Sequence, residues 1–314
     1  MDKIAFIFPG QGSQLKGMGK ELYSAFEAAR ETFEEADRVL GFSLSQLCFE
    51  GSEEQLKLTE NAQPAILVTS VAAFRVLNTE GVEPHFVAGH SLGEYSALVA
   101  AQSLTLGEAA RIVRNRGRYM QEAVPVGEGG MAALLGASPD RVEALCREAA
   151  QGEVLSVANL NSPSQVVIAG AAAAVKRAIE LALTTGVKRA VSLPVSAPFH
   201  CALMRPAQEA LQKDLGEIQF HDLRYGLINN VDAAELREGQ RIADSLTRQV
   251  CSPVRWTESI QQLIRKGVGV FIELGPGRVL SGLVRKIDRS VKTLNVEDLK
   301  SLKETLETAR QYAS

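Results

Sequence analysis

The chain has 314 residues, 46% of them hydrophobic and 23% charged, so it can bury a sizeable core and wholesale disorder is excluded. A net charge of −3 argues against nonspecific nucleic-acid binding, the apolar runs fall short of a membrane span, and the five apolar residues before Pro9 are too few for the apolar region of a signal peptide. The four cysteines, Cys48, Cys146, Cys201 and Cys251, lie far apart with no C-x-x-C and read as free thiols in a reducing cytoplasm, and no cluster of His, Cys and acids has metal-ligand spacing, so no metal is expected.

The first segment, "KIAFIF", predicts a strand that runs into the Gly-rich loop "PGQGSQ". A helix is predicted over about residues 19–38, and "AQPAILVTSVAAFRVL" predicts another, mostly buried. Phe86, Val87 and Ala88 suit a buried strand. After them Leu92, Tyr95, Leu98 and Val99 recur at helical spacing, and a further helix is predicted at about 106–121. This alternation argues for an α/β core with a parallel sheet. The segment "VPVGEGG", residues 124–130, reads as a hinge. Beyond it the order changes. "MAALLG" is strand-like, and "SPDRVEALCREAA" is a helix with Ser138 as N-cap and Pro139 at its first position. "VLSVANL" and "QVVIAG" are strands joined by "NSPS", "AAVKRAIELALTTG" is a helix closed by Gly186, and "KRAVSLPV" is a strand. That is β-α-β-β-α-β, the ferredoxin-like arrangement. The expected organisation is therefore a catalytic core of residues 1–126 and 196–314 with an inserted small domain at 127–195. After the insert, "YGLINNV", "VGVFIELG" and "VKTLNV" predict strands; "RIADSLTRQV", "WTESIQQLIRKG" and a polar stretch from about 297 predict helices.

The stretch "VAGHSLGEYSALVA" reads as strand, tight turn, helix, with Ser91 between Gly89 and Gly93 in the pattern G-x-S-x-G. Such an elbow exposes a serine hydroxyl at a helix N-terminus, and a Cβ on either flank would crowd it. A serine needs a base to take its proton. Of the four histidines, His90 adjoins Ser91 on the turn and reads as structural; His85 follows Pro84 in a polar loop, and His221 sits in the charged "FHDLRY". His200 stands in "LPVSAPFHCALMRPA", between fixed prolines and the return to the core, which makes it the candidate base. The loop "PGQGSQ" lacks the G-K-[ST] of a phosphate loop, and Leu15 stands where G-x-G-x-x-G needs its third glycine. At the carboxyl end of the first strand it can instead offer a backbone N–H to an oxyanion hole, beside the N–H that follows Ser91. "RIVRNRGRYM" carries Arg111, Arg114, Arg116 and Arg118 with no acid between Glu108 and Glu122. A solvated helix face accounts for such a run; one unpaired arginine near a nucleophile can also grip a carboxylate or phosphate.

Together "PGQGSQ", "GHSLGEYSAL", "RGRYMQEAVP", "NSPSQVVIAG", "SAPFHCALM", "RQVCSPVRWTESI" and "ELGPGRVLSGL", in this order, resemble the malonyl-CoA:acyl carrier protein transacylase family over essentially the whole chain. The resemblance implies an α/β-hydrolase-like core with a ferredoxin-like insert and the site between them. It implies Ser91 as acylated nucleophile, His200 as its base, and Gln11 and Leu92 as oxyanion-hole N–H donors. Arg116 would hold the malonyl carboxylate. Gln249 would orient His200 through a carbonyl oxygen, and Asn161 and Gln165 would line the cleft. Phe199 precedes the histidine where close bacterial relatives often carry Ser; a similar Phe-His pair occurs in malonyl-selective acyltransferase domains of polyketide synthases.

The activity so implied is ping-pong transfer of malonyl from malonyl-CoA to the phosphopantetheine thiol of acyl carrier protein, for fatty-acid synthesis, by a cytoplasmic monomer with no cofactor. His200 is expected to set the low-pH limb. Three rivals stand beside this: an acyltransferase serving a polyketide synthase, a serine esterase with no need of Arg116, and a scaffold that kept the fold. The carrier is acidic and so is this chain, so local basic groups must receive it; Lys188 and Arg189 are the pair expected to do so.

Overall fold

The computed structural model describes residues 2–195 and 197–313. Met1, Ser196 and Ser314 lie outside the described residues, and with them the first residue of "SAPFHCALM" and the outer bounds drawn at 1, 196 and 314. The first half of the chain runs β1 (Lys3–Phe8), α1 (Lys20–Ala25), α2 (Glu27–Leu40), α3 (Leu44–Glu50), α4 (Glu53–Lys57), α5 (Thr59–Thr79), β2 (Phe86–Gly89), α6 (Gly93–Ala100) and α7 (Leu106–Glu122). Then come β3 (Gly129–Leu135), α8 (Pro139–Ala150), β4 (Leu155–Ser162), β5 (Gln165–Ala171), α9 (Ala172–Thr184) and β6 (Arg189–Ser192). The remainder runs α10 (Arg205–Gly216), β7 (Gly226–Ile228), β8 (Glu235–Leu236), α11 (Ile242–Gln249), α12 (Trp256–Arg265), β9 (Val268–Leu274), α13 (Val279–Ile287), β10 (Lys292–Val296) and α14 (Leu299–Ala313).

The larger sheet has the order β10-β9-β1-β2-β7-β8. Its pairs are parallel except the last, β7 with β8. β1 lies at its centre. Ile4, Phe6 and Phe8 face one apolar core with α5, while Ala5 and Ile7 face another with Trp256 and Leu280. A strand buried on both faces has to read as an unbroken apolar run, which is why "KIAFIF" shows no alternation. The smaller sheet has the order β4-β5-β3-β6, every pair antiparallel, and α8 and α9 cover one face with their own apolar cluster around Leu134, Val142, Ile168 and Ala178. Main-chain bonds tie it to the larger body. Leu160 N–H donates to Val254 O at 2.9 Å, Val254 N–H donates to Ala158 O at 2.9 Å, and Thr257 Oγ1 donates to Leu160 O at 2.9 Å.

Several expectations shift. The helix predicted at 19–38 is two helices, because Phe26 adopts an extended conformation (φ −125°, ψ 131°) between them. The last strand of the smaller sheet is shorter than "KRAVSLPV", and "YGLINNV" contributes only Gly226–Ile228. Gly129 and Gly130, read as part of a hinge, belong to β3. Ser138 and Pro139 do open α8, although the Ser138 hydroxyl caps no N–H there.

The turn after β2 is packed against β1 with no spare space. A Cβ on Gly93 would stand 2.0 Å from Phe8 O, and one on Gly89 would stand 1.9 Å from Gly93 O. Gly282, inside α13, has open space around it. Gly93→Ala is therefore expected to destabilise the protein by at least about 1–3 kcal/mol, and Gly282→Ala to stabilise it by up to about 1 kcal/mol. Thermal unfolding of the two variants checks this; a Gly93→Ala protein melting with or above the parent would refute the close approach.

Candidate active site

Ser91 sits between β2 and α6 with φ 51°, and His200 sits before α10 with φ 62°. The left-handed region costs a non-glycine residue about 1–2 kcal/mol, so the surroundings must hold both in place. For Ser91 the holder is Asn230, fully buried just beyond β7. Asn230 Oδ1 accepts from Ser91 N–H at 2.6 Å, and its Nδ2 donates to Gly89 O at 2.6 Å. One side chain thus clamps both sides of the turn.

Ser91 Oγ lies 2.7 Å from His200 Nε2, and His200 Nδ1 lies 2.9 Å from the main-chain O of Gln249. A carbonyl oxygen can only accept, so Nδ1 carries the proton and Nε2 is left to take one from the Ser91 hydroxyl. Burial pushes the His200 imidazole down to about 3, and the positive Arg116 nearby adds to the shift. The ring therefore rests neutral, as a proton acceptor. Gln249 meets His200 through its backbone carbonyl, not its side chain.

α7 begins at a capping box, with Thr105 Oγ1 accepting from Glu108 N–H and the Glu108 carboxylate accepting from Thr105 N–H. Its buried stripe is Ile112, Val113, Arg116, Gly117 and Met120, so Arg116 falls on the inward face. Arg111, Arg114 and Arg118 do not. Gly117 lets the helix close on α5, since a Cβ there would stand 2.6 Å from Thr59 O. Arg116 is 2% exposed, lies with its guanidinium carbon 5.6 Å from the Tyr95 ring centre, and donates to Gln63 Oε1 at 2.8 Å, Gln249 Oε1 at 3.0 Å and Ser91 Oγ at 3.1 Å. A dry cation therefore touches the same hydroxyl that the imidazole can deprotonate.

These groups open on a cavity of about 960 Å³ between the two sheets, large enough for a sizeable ligand. Gln11 and Leu92 line it, and their main-chain N–H groups find no acceptor among the described residues. The side chain of Gln11 is held aside by a bond from Nε2 to Thr59 Oγ1 at 3.3 Å. Asn161, on β4, accepts from His90 Nε2 at 2.8 Å, and the His90 ring leans on Trp256 with centroids 5.6 Å apart. Gln165 lines the far wall and accepts from Lys286 Nζ at 3.2 Å; Phe199 is buried beside His200. Of the other histidines, His85 accepts the N–H of Ile4 and His221 is exposed. Lys188 and Arg189 are exposed at the head of β6 and do not line the cavity. Among the described residues no group of His, Cys, Asp and Glu is arranged to hold a metal ion, and all four cysteines are unpaired.

Sequence reasoning missed Gln63, Asn230 and Glu94. Glu94, 1% exposed, accepts at Oε2 from Asn230 N–H at 3.0 Å and from Gln249 Nε2 at 2.9 Å. A lone acid in the apolar run "LGEYSALVA" was its only signal. Burial pushes this carboxyl up to about 7, against the pull of Gln249, Asn230 and Arg116.

The family described as acyl transferase domain matches residues 5–305. A malonyl CoA-acyl carrier protein transacylase of Bacillus subtilis is 49% identical, over 99% of this chain and 98% of its own length. One of Escherichia coli is 46% identical over 91% and 93%. The crystal structure of an acyl carrier protein S-malonyltransferase from Vibrio cholerae superposes with TM-score 0.94 at 47% identity, covering 96% of this chain and 99% of that one. A type II PKS acyl-carrier protein in complex with its malonyl-transacylase gives 0.95 at 45% identity, covering 98% and 99%.

The imidazole environment carries a pH consequence. A base held low stays neutral, and so competent, as pH falls. Acylation of Ser91 by an uncharged active ester such as p-nitrophenyl acetate is expected to stay level from about pH 8 down to about pH 5, where an ordinary imidazole near 6.5 would be mostly charged. His200→Ala should lose about 10²–10⁴-fold. A half-loss near pH 6.5 in the parent protein would show that His200 does not sit in this environment.

Proposed function

Because this chain belongs to the acyl transferase family, we propose that it carries a malonyl group from malonyl-CoA to the phosphopantetheine thiol of an acyl carrier protein, by way of an ester on Ser91. The observation that carries this reading is the contact between the buried Arg116 and Ser91 Oγ. An acyl group seated on that oxygen with a free carboxylate two carbons away has a fixed cation within reach. A guanidinium can meet such a carboxylate with two parallel N–H donors.

The steps follow from the atoms. His200 Nε2 takes the Ser91 proton as Oγ attacks the thioester carbonyl. The resulting oxyanion turns to the free N–H groups of Leu92 and Gln11. The tetrahedral adduct collapses, the C–S bond breaks, and His200 returns its proton to the departing CoA sulfur. The carrier's thiol then attacks the ester by the reverse path, a double displacement. Gln249 keeps the imidazole in the right tautomer through its main-chain oxygen, in the place an acid holds in a triad. The chemistry calls on no metal or resident cofactor; the phosphopantetheine arrives on the partner. Asn161 holds His90 and thereby the floor of the cleft, while Gln165 and Phe199 shape its walls.

The smaller sheet with its two helices supports reading residues 127–195 as a ferredoxin-like insert, and residues 1–126 with 196–314 as an α/β-hydrolase-like core. We assign the work to the cytoplasm and to a monomer. No described helix is long and apolar enough to cross a membrane. A role with a polyketide carrier remains the second reading, favoured by the likeness to the type II PKS complex and by Phe199 beside the base. Lys188 and Arg189 remain the basic pair assigned to the carrier.

Brief exposure to malonyl-CoA without carrier is expected to raise the intact mass by one malonyl group in the parent protein and not in Ser91→Ala. Malonyl label on Ser91→Ala would sink the mechanism. For Arg116→Ala, removing a partner from a buried charge pair costs roughly 2–5 kcal/mol, about 30- to 4,000-fold. That loss should fall on the ratio of kcat/KM for malonyl-CoA to that for acetyl-CoA, and Arg116→Lys should restore little. An equal fractional loss for both substrates would rule out the carboxylate clamp.

A further inference from the structure

Glu94 and Arg116 are buried on opposite ends of one amide. Gln249 Oε1 accepts from the guanidinium at 3.0 Å, and Gln249 Nε2 donates to the Glu94 carboxylate at 2.9 Å. The amide cannot turn over, because Nε2 also donates to Ser91 O at 3.1 Å and so faces acceptors. The other ionisable groups that act on Glu94 are few among the described residues. Tyr95 adjoins it on α6, Arg116 comes from α7, and Asp232 comes from the loop after β7, where Arg248 holds it ionised. α5 and α11 present the neutral Gln63 and Gln249 to Arg116. Above about pH 7 one buried anion thus stands against one buried cation.

A malonyl carboxylate at Arg116 changes the count to two anions and one cation, in a place sheltered from water. Low polarizability makes that surplus charge costly. A proton from solvent removes it, and only Glu94 among the two carboxylates is already hard to ionise by burial. We propose that Glu94 is a specificity-determining residue: ionised, it balances Arg116 in the empty site, and it takes up a proton when a malonyl carboxylate docks. This rests on the reading of Arg116 as the carboxylate's partner. Acetyl brings no charge and leaves Glu94 as it is. The proton goes from solvent to a Glu94 carboxylate oxygen and takes no part in the transfer of the Ser91 proton through His200 to the CoA sulfur.

The sign of the pH effect follows. Docking of malonyl is unopposed while Glu94 is protonated, below about 7. It weakens as pH rises through that value toward the higher one Glu94 has beside the substrate. The parent protein's malonyl-to-acetyl ratio of acylation kcat/KM is therefore expected to fall roughly tenfold between about pH 6 and pH 8.5. Glu94→Gln keeps a carbonyl oxygen for Asn230 and Gln249 but carries no charge, so its ratio should be flat with pH. An indicator dye in weakly buffered parent protein at about pH 7.5 should report more proton uptake per malonylated site than per acetylated site, since the CoA thiol released is common to both. This second measurement needs no variant. A ratio flat in the parent protein, the same slope in Glu94→Gln, or equal proton uptake for the two substrates would each overturn the proposal. Arg116→Ala separates the two readings. If it leaves the ratio unchanged, the clamp itself fails; if it collapses the ratio while the pH slope is absent, only the role of Glu94 fails.

Discussion

The site hangs on Gln249. Its main-chain oxygen accepts from His200 Nδ1–H, its side-chain oxygen accepts from Arg116, and its side-chain nitrogen donates to Ser91 O and Glu94. The Ser91 backbone, the His200 imidazole, the Arg116 guanidinium and the Glu94 carboxyl are thereby set relative to one another by a single residue at the end of α11. Being uncharged, that residue can be fully buried at little desolvation cost. An acid in its place would pair with Arg116 directly and neutralise it.

The strain in the site is distributed to suit. Ser91 and His200 both occupy the left-handed region, and each is held by bonds that a regular helix or strand would not supply: Asn230 across the elbow, Gln249 O behind the imidazole. The parallel sheet provides the frame. β2 ends where Phe8 O of β1 receives the His90 N–H at 3.0 Å, and the glycine after the elbow lets α6 start against that same oxygen. Side-chain size at residues 89 and 93 thus governs where the hydroxyl stands.

Much of this was legible beforehand for a physical reason. Strands buried on both faces leave unbroken apolar runs, and the elbow's glycines are required by contact distances under 2.5 Å. Among the four arginines of α7 only the resemblance singled out Arg116; the structure puts it in the apolar stripe, four residues after Ile112 and four before Met120. What stayed hidden depends on partners distant in the chain. Nothing near Glu94 or Asn230 announces the other, since the bond between them spans 136 residues. The break at Phe26 carries no Gly or Pro, and β8 is two residues long with a charged one among them, so neither left a periodic trace.

The main-chain bonds that stitch β4 to Val254 bear on how the cleft can move. Val254 follows Gln249 by a short run of chain, so the wall carrying Asn159, Asn161 and Gln165 is moored a few residues from the oxygen that steadies the imidazole. Swinging that wall outward would either rupture the stitching or pull on the mooring and turn the His200 ring away from Ser91. Access and reactivity are therefore mechanically geared. The Ser91–His200 contact is intact only while both walls keep their spacing.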